Sequence, residues 1–300
     1  MLVLELRPDS ALGHALDDAG NLVYARSRAL PDAFTPVQRW LGLIELARDL
    51  CAGISLEPAQ LSRIALIFPG ALDHVGRVKA GADGFGGYDL RRGLREHLQA
   101  GEAELVVASA SVADAWAQHH AGALRGWDDW LYLSIDERLE SVACARGIWL
   151  TPDLGGLVLE RDGAMDSAAR QGTLSAYCAG QSFSERARSY SLNVEAAQIW
   201  ALAETNFAAQ SLAQDYVSRL AQGLASAVSA LSPGRICIGG NLGRAIFAQI
   251  HAELASELRD YLQSGIWNGD IVLSAPGDEG AESISPGALA LATLGAPPLH

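Results

Sequence analysis

The sequence predicts an α/β protein built from two consecutive halves with a cleft between them. Three observations carry this. Short apolar runs such as Ile64-Ala65-Leu66-Ile67-Phe68 and Leu105-Val106-Val107-Ala108 read as buried strands. Longer stretches repeat apolar residues at helical spacing, as Val37, Trp40, Leu41, Ile44, Ala47 and Cys51 do. The order of these segments also recurs in outline: a strand meander followed by alternating helices and strands, once before residue 125 and again after it.

In the first half, Leu2 to Leu6, Ala11 to Leu16 and Leu22 to Ser27 form the meander, with turn chemistry at Asp17-Asp18-Ala19-Gly20. A helix runs from Thr35 to Ala52. The strand Ile64 to Phe68 stops at Pro69-Gly70. A Gly-rich loop, Gly81 to Gly87, leads into a helix from Asp89 to Leu98, then the strand Leu105 to Ala108 and a helix from Val112 to Leu124. In the second half, Trp130 to Ile135 is a strand, Glu140 to Leu150 a second, and Gly156 to Glu160 a candidate third. Helices are expected over Val194–Leu202, Phe207–Leu231, Leu242–Leu262 and Gly287–Leu294, with strands at Arg235–Ile238 and Asp270–Ser274.

The 300 residues are 49% hydrophobic and 19% charged, enough for a dry core and incompatible with intrinsic disorder. The net charge is -13, and Lys79 is the only lysine. So acidic a surface repels phosphate backbones, and no nucleic acid partner is expected for this chain alone. Cys51, Cys144, Cys178 and Cys237 form no C-x-x-C pair and read as buried thiols of a reducing compartment. No signal-peptide pattern opens the chain. The apolar helix Phe207–Leu231 carries Gln210, Gln214, Asp215, Arg219 and Gln222, an amphipathic pattern rather than a membrane span. A soluble, cytoplasmic protein without a membrane partner is expected.

Three segments carry a family resemblance: Asp17 to Val23; Ile67-Phe68-Pro69-Gly70-Ala71-Leu72-Asp73 with Gly76 and then Gly84 to Leu90; and Ile236-Cys237-Ile238-Gly239-Gly240-Asn241-Leu242, followed by Ile284 to Ala292. They resemble the ROK family of repressors, open reading frames and sugar kinases, within the actin-like ATPase superfamily. The resemblance covers nearly the whole chain. It implies two actin-like (ribonuclease H-like) lobes with sugar and ATP in a central cleft. The first lobe would comprise 1–110 with 286–300, the second 111–285. It also implies a homodimer, and a crowd of tryptophans (Trp116, Trp127 and Trp130) offers either interface or core. The family's repressors begin with a helix-turn-helix. Here the first strand opens the chain, so no DNA-reading element is expected.

The family's chemistry sits in five motifs. Where its first phosphate loop has Asp-x-Gly-Gly-Thr, this chain has Glu5-Leu6-Arg7-Pro8-Asp9. Both glycines are gone, Pro8 has no N–H, and Asp9 puts negative charge where phosphate would lie. Where the family has the Asn-Asp pair that supplies the catalytic base, Ser109 and Ala110 stand. Asp114 lies four residues on, roughly 6 Å along the helix. It is either a relocated base or first-turn charge beneath a serine cap. The second phosphate loop, Gly-x-Gly-x-Gly, becomes Asp136-Glu137-Arg138-Leu139-Glu140. The sugar-side loop leaves Glu160 as the one surviving acid, in a register that the residues leave open. The zinc loop, Cys-x-Cys-Gly-x-x-Gly-Cys-Leu-Glu, becomes Asp166-Ser167-Ala168-Ala169-Arg170-Gln171-Gly172-Thr173-Leu174-Ser175. Alanine and threonine supply no thiolate, so no zinc is expected.

Carried over residue by residue, the resemblance places Gly239, Gly240 and Asn241 against a nucleotide, and Gly87, Asp89, Ser109 and Glu160 against a sugar. No catalytic residue remains beyond the candidate Asp114, and there is no metal ligand. Three readings stay open. One is a catalytically degenerate member that senses a small sugar or binds a partner without cofactor. Another is a divergent sugar kinase using ATP and Mg. The third is a structural, oligomeric interaction protein with no small ligand. All three share one expectation, that the purified, dialysed protein contains no stoichiometric zinc. Elemental analysis giving about one zinc per chain would overturn it.

Overall fold

The computed structural model describes residues 1–7, 9–31, 34–73, 75–79, 84–262, 267–275 and 284–298. Pro8 and Gly81 to Asp83, which figure in the sequence reading, lie outside the described residues. Contacts divide the chain into two compact units, Met1–His120 with Pro276–Pro298, and Ala121–Ala275.

The first unit opens with the meander β1 (Leu2–Leu6), β2 (Ser10–Leu16) and β3 (Leu22–Ala29), then α1 (Pro36–Gly53), β4 (Arg63–Phe68), α2 (Leu90–Leu98), β5 (Glu104–Ser109) and α3 (Ala110–Ala121). Thr35 and Gln38 form a capping box that starts α1, with Pro36 in its first turn. The sheet order is β3-β2-β1-β4-β5. The meander pairs antiparallel, while β1 with β4 and β4 with β5 pair parallel. Five of the six residues of β4 are buried, as a central strand covered on both faces requires, whereas β3 is an exposed edge.

The second unit contains β6 (Trp130–Ile135), β7 (Leu139–Ala145), β8 (Ile148–Leu150), α4 (Leu174–Cys178), α5 (Gly180–Ser189), α6 (Ile199–Ala203), α7 (Phe207–Leu231), β9 (Arg235–Gly239), α8 (Asn241–Tyr261) and β10 (Asp270–Leu273). Its order, β10-β9-β6-β7-β8, repeats that of the first sheet, with β6 in the place of β1 and β9 in that of β4. The parallel and antiparallel pairings repeat as well. Leu133, Ile238, Leu220 and Ile246 meet in the core of this unit. Leu4, Leu66, Ile44 and Leu94 meet in the first. The final helix, α9 (Pro286–Leu294), packs on β1 and β4.

Several expectations need correction. The first unit runs to residue 120 rather than 110, because α3 lies against α9: a Cβ on Gly287 would sit 2.8 Å from the Ala113 carbonyl carbon. Glu140 to Leu150 is not one strand but the hairpin of β7 and β8, turned at Arg146 and Gly147. Both have positive φ (+54° and +77°), as a two-residue hairpin loop demands. Gly156 to Glu160 is not a strand, since Leu154–Gly156 is a single tight turn of helix. Helices α4 and α5 lack the apolar periodicity that would have announced them. The tryptophan crowd is not an exposed patch: Trp130 is fully buried against Trp149, Trp116 is buried, and Trp127 packs under the Arg235 guanidinium. Among the described residues no helix is long and apolar enough to cross a membrane.

One turn is built three times. At Asp17, Asp73 and Asp166 the carboxylate accepts from the N–H groups two and four residues ahead. The main chain closes the same way each time, from residue i+3 to i and from i to i+4. Position i+3 is left-handed in all three: Gly20 at φ +87°, Gly76 at +82° and Ala169 at +59°. Only the third turn lacks glycine there. A left-handed L-residue costs about 1–2 kcal/mol, part of which glycine gives back in unfolded-chain entropy. Ala169→Gly is therefore expected to stabilise the protein by about 0.5–1 kcal/mol, read from the urea midpoint. No change or a loss would show that this turn is not strained.

Candidate functional site

The β9–α8 turn is the best-formed feature of the second unit. Strand β9 leaves no room for a side chain at Gly239, which faces the Tyr132 hydroxyl. Gly240 is at φ +79°, and a Cβ there would run into the Ile135 carbonyl. The chain therefore turns sharply and starts α8 at Asn241. The Asn241 N–H donates to Asp136 Oδ1 at 2.9 Å, and Arg244 donates to the Asn241 side-chain oxygen at 3.1 Å. The main-chain carbonyls of Asp136 and Glu137 accept from Gly180 and Gln181, at 2.7 and 3.2 Å, as α5 begins. Burial pushes the Asp136 carboxyl above its ordinary range, although the N–H groups of Asn241 and Leu242 and the charge of Arg244 pull the other way. An open pocket of about 700 Å³ lies beside this turn, lined by Asp136, Glu137, Gln181, Arg188, Glu195 and Asn241 among others.

A helix N-terminus is a natural phosphate site, because its free N–H groups and dipole favour an anion. In this chain a carboxylate from the β6–β7 turn already takes that place, with Glu137 beside it. The acidic turn is visible in the sequence, but the reach of Asp136 to the Gly-Gly turn is not. No local signal announces a bond between residues so far apart in sequence.

Glu160 is exposed. It accepts from the Tyr177 hydroxyl at 2.9 Å and from Arg219 at 3.0 Å. The Tyr177 ring packs against two guanidiniums, Arg186 at 5.0 Å and Arg219 at 4.5 Å, and both arginines bond Asp215. Glu160 thus joins a structural charge network. Asp166 is buried and accepts from Ala168 and Arg170 main-chain N–H, from Arg170 Nε at 2.9 Å and from Thr173 Oγ1 at 2.8 Å.

In the first unit, Asp89 caps α2 by accepting from the Arg92 N–H at 3.0 Å. Gly87 is exposed at φ +80° with open space around it. Ser109 is buried, its hydroxyl 3.1 Å from that of Ser111 at the start of α3. Ala110 is exposed, and Asp114 sits half-buried one turn along the helix. Glu5 pairs with Arg7 at 2.8 Å, and its other carboxylate oxygen is buried.

The model of the ROK family matches residues 42–293. This chain belongs to the ROK family. A ROK hexokinase from Thermus thermophilus superposes with a TM-score of 0.77 at 23% identity, covering 99% of this chain and 98% of that one. A ROK family transcriptional regulator, a homologue of the E. coli MLC protein, gives 0.81 at 15% identity over 98% of this chain and 78% of its own. A ROK family glucokinase from Streptomyces griseus, solved with glucose and AMPPNP, gives 0.70 at 16% identity over 98% of both chains. No curated protein matches the sequence. At these identities the likeness shows the fold, the two-lobed actin-like α/β architecture. Relatives of both kinds, kinase and regulator, share it, so the fold does not choose between them.

The residues do not fit the zinc that the ROK resemblance implies. Ala168 has no donor side chain, and Asp166 and Thr173 are bonded to each other. Among the described residues no three His, Cys, Asp or Glu side chains gather as a metal site. Burial alone would raise the Asp166 carboxyl, but its bonds from Arg170 and Thr173 outweigh that and hold it below its ordinary range near 3.8. Stability from a depressed carboxyl is complete above the ordinary value and is lost as pH falls through the depressed one. Asp166→Asn is expected to cost about 1.5–3 kcal/mol at neutral pH, with the gap to wild type narrowing as pH falls below about 3.8. Urea unfolding of both proteins across that range is the check. A gap that stays constant would place the effect outside the charge.

Proposed function

We propose that this ROK protein is a catalytically degenerate, sugar-kinase-like regulator. It binds a small sugar-like ligand or a protein partner without transferring phosphate. The observation that carries this reading is the Asp136 carboxylate bonded to the first N–H of α8. An incoming polyphosphate would meet that carboxylate and Glu137 where phosphoryl transfer relies on N–H groups and cations. The exposed Ala110 supports the same conclusion at the other end of the chemistry. Loss of a general base raises the barrier by about 3–5 kcal/mol, from a rate factor of 10²–10⁴.

The pocket beside Gly240 and Asn241 favours a ligand-binding protein over a purely structural one, since its volume suits a small molecule. A cytoplasmic homo-oligomer belongs to this proposal. ATP and Mg enter only under the alternative of a divergent kinase, in which Asp114 would serve as base.

A coupled ATP assay over a panel of hexoses and N-acetylhexosamines is expected to show no turnover, while a thermal-shift screen of the same sugars is expected to find a stabilising ligand. Turnover of roughly 1 s⁻¹ or faster that disappears in Asp114→Asn would establish the kinase instead.

A further inference from the structure

The segment from Asp153 to Cys178 has little regular structure of its own. Two isolated bridges, Val158 with Thr173 and Met165 with Gln171, are its only ladder pairing among the described residues. Main-chain bonds cross it from Leu159 and Glu160 to Gly172, from Gly172 to Ala164 and from Leu174 to Leu157, and Tyr177 ties Ala164 to Glu160. The side-chain bonds between 166 and 173 converge on one carboxylate. The Asp166 side chain is 1% exposed and accepts four hydrogen bonds. Arg170 carries the connection on to Asp153 at 2.7 Å, whose other oxygen accepts from the Gly156 N–H at 2.9 Å. Thr173 carries it the other way: its hydroxyl donates to Asp166 and accepts from the Ala176 N–H, capping α4. From a single oxygen pair the network therefore reaches both ends of the segment.

The three positions that hold thiolates in the resemblance are the ones gathered here. Asp166 is the first, the second donates its main-chain N–H from Ala168, and the third donates the Thr173 hydroxyl. Ala169 and Gly172, at the two glycine positions of that motif, are both left-handed, at φ +59° and +66°. We propose that Asp166 is the cross-link of this segment, a buried hydrogen-bonded carboxylate that replaces a metal ion as its organising centre. The physical exchange is simple. A tetrahedral metal holds distant parts of a loop by short bonds to anionic ligands, and its contribution depends on metal supply and on a chelator's absence. Here the anion moves to the centre, and N–H and O–H donors point at it from around the loop. Bonds to an ionised acceptor are roughly twice as strong as neutral ones. The 164–173 turn is then ordered in any metal environment. This inference holds whether or not the protein transfers phosphate.

Hydrogen exchange of the full-length protein, read by mass spectrometry over 153–178, is the test. Wild type is expected to exchange identically before and after treatment with 1,10-phenanthroline. Asp166→Ala is expected to speed exchange in 164–173 at least tenfold while peptides from α7 stay unchanged, and Thr173→Val to give a smaller increase in the same peptides. If Asp166→Ala does not fold, Asp166→Asn and Thr173→Val carry the comparison. Unchanged exchange in the variants, or protection of the wild-type segment lost to the chelator, would overturn the proposal.

Discussion

The parallel pairing of β6 with β9 decides where the rest of the second unit can go. Its register sets Ser134 opposite Gly239, so the next residue, Gly240, meets the Ile135 carbonyl with no space for a side chain. The only way onward is a left-handed turn, and α8 starts at once. That start delivers the Asn241 N–H to Asp136 at the end of the same strand. Helix α5 is placed by the β6–β7 turn, through the carbonyls of Asp136 and Glu137. A buried strand pair thus controls two helix starts and the pocket beside them.

Much of what the ROK resemblance would lend to ligands is turned inward in this chain. Asp136 caps α8, Asp89 caps α2, Glu160 holds Tyr177 and Arg219, and Asp166 holds its own loop. Each bond satisfies a group that would otherwise need water or a ligand. What remains open is a pocket whose lining includes three carboxylates and Arg188. Its electrostatics suit neutral or cationic groups better than phosphate.

The strands and long helices were legible because they obey simple periods. Ile64 to Phe68 is apolar throughout and is a central strand, and Thr35 announced α1 through its capping box. The failures have physical causes too. Arg146-Gly147 is not the Asn-Gly pair that usually marks a two-residue hairpin, so β7 and β8 read as one strand. Helices α4 and α5 are buried or short, and their residues answer to neighbours such as Leu174 against Gly223, not to an amphipathic period. Asp17 was legible as turn chemistry. Asp166 forms the same turn, but Ala169 in place of glycine hid it.

By itself the sequence determined the α/β class and the duplicated order of segments, and it carried the motifs of the family. The class and the order follow from local periodicity, and the family from a resemblance of motifs. Only the tertiary structure decided which groups the acidic side chains meet. Asp136 and Asn241 are 105 residues apart, as Glu160 and Arg219 are 59, and no local pattern encodes such bonds. They form because the parallel sheet and the packing of α7 and α8 bring these groups within hydrogen-bonding distance.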